Sequence, residues 1–286
     1  MGSFTTEFDV SEYAEQTQTA FEGLTLTEAL CQYAIICPLI NPIEHRQTCI
    51  ELTHKSPLQF MLEAQLYDAA GRKVGIRRSV MTDDPQQYEE AITGVMNEQA
   101  HIVRQYDVAG CIAPAMHKIL EDHVIDEKAI ESVIADSGFI PEGRTPLFVK
   151  AIKFGFEWDF STALHLFIPQ AENSLRYLLA QEGIITTSLD HVGIEETWLL
   201  GRILTEPKLL EILGEPLVFE LRSLLLGDTA SNFRNLLAHG LLSEGYLNSH
   251  EAFYLWWLLF RMTLLPTSAL QTFNEQRTIK KGEEKD

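Results

Sequence analysis

The chain predicts an all-α protein: a mainly helical N-terminal region containing one short β-hairpin, followed by a C-terminal helical bundle. Three observations support this. Apolar residues recur at helical spacing behind cap-forming side chains, Gly and Pro punctuate the chain at intervals of about one helix, and the last apolar run is fourteen residues long, from Ala252 to Leu265. With 286 residues, 45% of them hydrophobic and 22% charged, the chain has ordinary globular composition and can bury a substantial core. The punctuation divides it into a region 1–140, a helical domain 141–266 and a charged tail 267–286, expected to fray from Gln271 onward.

In the first region, Thr25 and Glu28 form a capping box ahead of the apolar stretch Ala29 to Ile36, and Pro38 stops that helix. Between residues 60 and 80 the period changes. FMLEAQLY, the Asp68-Ala69-Ala70-Gly71 turn and RKVGIRRSV read as a hairpin, with a helix through Leu58 to Ala69 as the alternative. Asp84-Pro85 starts a helix whose apolar positions run through Ile92, Val95 and Met96 to Ile102 and Val103. Further helices are expected over Ile112 to Leu120 and Glu127 to Ala135.

Pro141-Glu142-Gly143 marks the boundary. Leu147 to Phe156 is helical, and Asp159 caps a second helix that Pro169 kinks or restarts before Gly183 ends it. Glu172 and Arg176 lie four apart with the acid first, the favourable order for a helical pair. Short helices follow around Trp198 to Leu204, Pro207 to Leu213 and Pro216 to Leu226. Asn248 and Glu251 are placed to cap the last helix, AFYLWWLLFRMTLLP. That helix is apolar almost all round, so it belongs at the centre of a bundle or in a subunit interface.

The net charge of −19 is uneven. Residues 1–140 carry 9 basic and 22 acidic side chains, and residues 141–265 carry 9 and 15. Such a field opposes indiscriminate nucleic-acid binding and requires a local basic patch for any RNA. Arg72, Lys73, Arg77 and Arg78 form the basic cluster of the first region, able either to contact phosphates or to pair with nearby carboxylates. Cys31, Cys37, Cys49 and Cys111 show no CxxC pair and read as reduced thiols. No metal or cofactor is expected. The polar, acidic N-terminus predicts neither a secretory nor a transit peptide, and the longest apolar run contains Arg261, so a cytoplasmic protein away from membranes is expected.

The chemistry concentrates in Phe233 to Gly240, FRNLLAHG. Asn235 and His239 are four apart, one turn above each other on a helix, where the amide can hydrogen-bond an imidazole nitrogen. Arg234 stands about 140° away around the helix, but its long arm can reach the same anion. A histidine at this position can take and give a proton near neutral pH. Helical arginines and histidines at such spacing are also common as satisfied structural side chains.

The segment from about Pro146 to Pro266, with IPQAENSLRYLL, a helical spacer, FRNLLAHGLL and an aromatic final helix, resembles the HEPN superfamily. It looks most like a bacterial domain-of-unknown-function family with an Arg-Asn-x-x-x-His-Gly motif. Arg234, Asn235 and His239 match that motif. The resemblance implies a helical bundle that pairs into a homodimer, with two motif helices meeting at a cleft. It implies a metal-independent endoribonuclease that leaves 2′,3′-cyclic phosphate and 5′-hydroxyl ends, acting as the effector of a bacterial defence or toxin-type system with a regulatory protein partner. Arg234, Asn235 and His239 would be catalytic. Glu172, Arg176, Arg202, Arg222 and the hairpin cations Arg72, Lys73, Arg77 and Arg78 would support the site or contact RNA. The alternative is a non-catalytic HEPN module that binds a nucleotide, an RNA or a protein.

Overall fold

Thr25 caps the helix Leu26–Ala34 through a reciprocal box with Glu28, which satisfies two backbone donors at its start. Asp84 does the same for the helix Pro85–Asp107, accepting from the Gln86 amide at 2.9 Å. In this computed structural model, which describes residues 9–67, 73–189, 193, 195–227, 229 and 231–283, the chain is 69% helical with two short antiparallel strand pairs. No helix among the described residues is long and apolar enough to cross a membrane.

The chain forms two compact units, both discontinuous in sequence. One is drawn from the chain up to Cys37, from Arg104–Gln170 and from Asn248 onward; the other from Pro38–Val103 and Ala171–Leu247. Both units take segments from either side of the expected boundary at Pro141.

The first unit is organised around the helix His250–Leu264, in which every residue from Glu251 to Phe260 is buried. The helix is therefore buried within a single copy of the chain. Trp256 Nε1 donates to the Ala151 carbonyl at 3.1 Å and Trp257 Nε1 to the Tyr33 carbonyl at 2.8 Å, so both indoles bury their rings without orphaning a donor. Close approach depends on Gly155: a Cβ there would lie 1.9 Å from the Trp256 ring. Ser249, one residue beyond the expected Asn248, caps the helix by accepting from the Ala252 amide at 3.2 Å. Glu251 instead turns inward to Arg104 at 3.5 Å, both side chains being buried.

The helices expected at 85–103 and 112–120 are continuous, joined through a π-helical turn, Val108–Ile112. Pro114 is the physical reason, since it has no N–H to return to the carbonyl of Gly110 and its ring crowds that oxygen. Thr17, on the unanticipated helix Ser11–Thr19, donates its hydroxyl to that carbonyl at 3.2 Å. Where fraying was expected, Ser268–Glu283 is a helix, started by the Asp136 carboxylate on the Ser268 amide and anchored by buried Leu270.

The second unit packs Cys49, Phe60, Ile92, Val95 and Met96 into its core. Its helix Pro42–Lys55 went unanticipated although Asn41 caps it, accepting from the Ile43 amide at 3.0 Å. The expected hairpin is present: Ala64–Tyr67 pairs antiparallel with Lys73–Arg77 in the register Ala64 to Arg77. Its turn, Asp68 to Arg72, lies outside the described residues. A second pair, Thr187–Leu189 with Glu195–Thr197, was not expected.

Candidate functional site

The motif helix, Phe233–Ala238, lies in the second unit and is set by both its ends. Asn232 precedes it in the left-handed region at φ 50°, which asparagine tolerates better than most residues. Phe233 is fully buried beneath Tyr246, their ring centres 5.0 Å apart, and the Tyr246 hydroxyl donates to the Ser231 carbonyl at 3.2 Å. At the other end the Leu241 amide donates to the Leu236 carbonyl at 2.8 Å and the Gly240 amide to Leu237 at 3.0 Å, with Gly240 at φ 65°. That is a Schellman closure, and it makes His239 the cap residue and leaves its side chain exposed.

Asn235 does not orient His239 as expected. Its Nδ2 donates to Asn232 Oδ1 at 2.9 Å, and its Oδ1 accepts from Arg234 Nη1 at 3.3 Å. The left-handed turn at Asn232 brings that oxygen within reach, and the bond competes with any bond to the imidazole. Asn235 therefore stiffens Arg234 and the helix start, while His239 stands free of side-chain bonds among the described residues.

Arg234 and Arg176 share one carboxylate. Glu172, only 8% exposed on the helix Phe160–Gln181, accepts Arg234 Nε on Oε2 at 3.0 Å and a close bond from Arg176 Nη2 on Oε1. The Glu172–Arg176 pair expected from spacing is thus present, extended by a second guanidinium. Two cations around one anion leave a net positive site in an acidic chain. Arg234 Nη2 has no protein partner among the described residues, so one face of the fork remains available to an anion.

Arg176 also donates through Nε and Nη2 to the Trp198 carbonyl, at 3.3 and 3.1 Å. Arg202 lies over the Trp198 ring, its guanidinium carbon 3.7 Å from the ring centre. Arg202 therefore joins the network by way of Trp198. Asn232 and Trp198 were missed as site residues; the αL-tolerant Asn directly before FRN was the available signal for the first, and nothing local marked the second.

The remaining cations are placed elsewhere. Arg77 is 5% exposed, bonded to Glu98 at 2.8 Å and to the Gln59 carbonyl, and stacked over Phe60. It is a structural cation rather than an RNA contact, because burial beside a carboxylate withholds it from any phosphate. Arg78 pairs with Glu90 and Glu63 at 3.1 and 3.5 Å. Arg72 and the side chain of Lys73 lie outside the described residues. Arg222, exposed, borders a cavity of about 370 Å³ shared with Arg46, Met96 and Phe219, and among the described residues it has no hydrogen bond or ion pair to the Glu172 network. Lys208, another cation of this unit, is tied to Glu211 and Glu182, which raise its pKa. No group of three or more His, Cys, Asp or Glu side chains among the described residues is placed to hold a metal ion. Comparison with protein-family models, with curated proteins and with solved structures finds no match.

Proposed function

We propose that the protein is a HEPN-type endoribonuclease that needs no metal and works as a homodimer, with Arg234 and His239 at its centre. The observation that carries the reading is the contrast between the two. Arg234 is held by Glu172 and Asn235 with one nitrogen left over, while His239 projects into solvent from a closed helix end on the same short segment. A fixed cation and an accessible imidazole on one short segment suit transesterification of RNA. The 2′-hydroxyl gives up its proton as its oxygen attacks phosphorus, the bond to the 5′-oxygen breaks, and that oxygen takes a proton. Paired motifs would supply two imidazoles, one accepting and one donating. Arg234 Nη2 would neutralise charge on a non-bridging oxygen, and Asn235 acts by holding Arg234. A defence or toxin-type effector restrained by a protein partner fits such an activity.

One observation favours the second reading, a non-cleaving HEPN module. Glu172 neutralises part of the charge on Arg234, and no side chain orients His239. Incubating wild type and His239→Ala with total RNA in excess EDTA, followed by end-group analysis, separates the two. Cyclic-phosphate ends from wild type alone support the nuclease; intact RNA with both leaves the binding module.

A further inference from the structure

The geometry points to a nucleobase-stacking subsite on Arg202, backed by Trp198 and tied through one contact network to the phosphate-binding Arg234, that makes the substrate single-stranded RNA with an unpaired base. The inference rests on the nuclease reading only for the phosphate-binding role of Arg234.

Trp198 is pinned by its backbone. Its amide donates to the Thr186 carbonyl at 2.8 Å, and its carbonyl takes both bonds from Arg176. Its indole Nε1 is buried and has no partner among the described residues, so the ring is held by packing rather than by a bond of its own. Arg202, on the short helix Leu200–Ile203, covers one face of that ring at 3.7 Å. It is exposed and has no ion-pair partner among the described residues, although the chain carries a net charge of −19. A flat guanidinium with an aromatic ring behind it and solvent in front is a surface on which a second π-system can stack. Unpaired bases in RNA are bound in this way, on aromatic rings and on arginine planes.

The subsite also connects to the candidate centre. From Trp198 the chain of contacts runs through Arg176 to Glu172 and from Glu172 to Arg234, with bonds of 3.1 and 3.0 Å at its two ends. One network of contacts, through Trp198, Arg176 and Glu172, thus positions both the stacking plane of Arg202 and the fork of Arg234. Paired bases cannot enter, because their faces are covered by neighbours in the stack. An acidic protein gains little from long-range attraction to a polyanion. Stacking supplies affinity without many phosphate contacts and does so for any base. Low sequence preference and weak salt dependence follow.

The test uses the full chain with His239→Ala and a fluorescent 2′-O-methyl RNA pentamer, which cannot be cleaved, read by anisotropy. Arg202→Lys keeps the charge and removes the plane, so the expected result is binding about tenfold weaker, as weak as with Arg202→Ala. An abasic residue placed at successive positions of the pentamer should reproduce that loss at one position, with Arg202 intact and no change to the fold. A duplex of the same sequence should bind no better than Arg202→Ala binds the single strand. Full affinity in Arg202→Lys, equal binding of every abasic pentamer, or no binding of the single strand overturns the subsite. Cleavage by wild type is scored separately: a stacking loss without any cleavage sinks the nuclease and leaves the subsite standing, and cleavage without a stacking loss does the reverse.

Discussion

Glu172 accepts Arg234 from 62 residues further along the chain on one carboxylate oxygen and Arg176 from its own helix on the other. One buried anion therefore fixes two guanidiniums, and the motif arginine cannot move without breaking a bond that its own segment does not make. Removing the anion leaves two partly buried cations facing each other. Glu172→Ala is expected to lose about 3 kcal/mol of stability in urea denaturation, and Glu172→Gln, which keeps the shape, an intermediate amount. An unchanged midpoint for Glu172→Ala would show that the clamp contributes nothing.

Arg234→Lys tests whether the fork matters beyond its charge. A lysine can approach Glu172 but cannot also bond Asn235 and present a further nitrogen. Whatever activity or RNA affinity the protein shows should fall about as far with lysine as with alanine, measured by cleavage rate or anisotropy. Retention in lysine would reduce Arg234 to a point charge.

Gly155→Ala is expected to destabilise by about 2 kcal/mol or more, because its Cβ would fall 1.9 Å from the Trp256 ring. The gain in helix propensity, about 1 kcal/mol, works the other way and is smaller. Thermal unfolding of the single variant decides this.

Burial raises the pKa of Glu98, while Arg77 opposes the shift by pairing with it. The folded state thus holds the Glu98 proton more tightly than the unfolded chain does. That contribution favours folding at pH below the ordinary carboxylate range and is lost as pH rises through the folded value. Replacing Arg77 with Met removes the opposing charge, so the variant should lose more stability at pH 7 than at pH 4. Equal losses at both would show that the pair is not felt.

The Cys111 thiol is lowered to about 6, chiefly by a hydrogen bond with Cys37, whose own thiol is pushed up in return. Alkylation of Cys111 by iodoacetamide should therefore already be near its plateau at pH 7. In Cys37→Ala its midpoint should move up toward that of an ordinary thiol, as mass spectrometry of the modified peptide would report.

Much of the fold was legible because its determinants are local. The Thr25 box, the Asp84 cap, the glycine stops at Gly183 and Gly240 and the 64–77 strand pair each depend on a few neighbouring residues. What escaped depends on partners distant in sequence. Whether the apolar helix His250–Leu264 lay inside the chain or against a second copy could not be read from its own residues, and neither could the inward turn of Glu251 to Arg104. In the site, spacing showed Glu172 with Arg176 but not the second arginine, and it pointed Asn235 at His239. The left-handed turn at Asn232 redirected that amide, an effect that helical periodicity does not contain. The hairpin cations looked like a patch in one dimension, yet Arg77 and Arg78 are occupied by carboxylates at 63, 90 and 98.

The position of the helix His250–Leu264 along the chain also bears on synthesis. The first unit is assembled from three separated stretches of the sequence, and the helix that fills its core lies in the third of them, ahead of Ser268–Glu283. A nascent chain emerging from the ribosome exposes the faces destined for Trp256 and Trp257 until this helix follows, so the unit can close only after residue 264 has been made. A premature stop before residue 250 would remove the middle of a core rather than a dispensable end, and the released chain would be a substrate for chaperones and proteases.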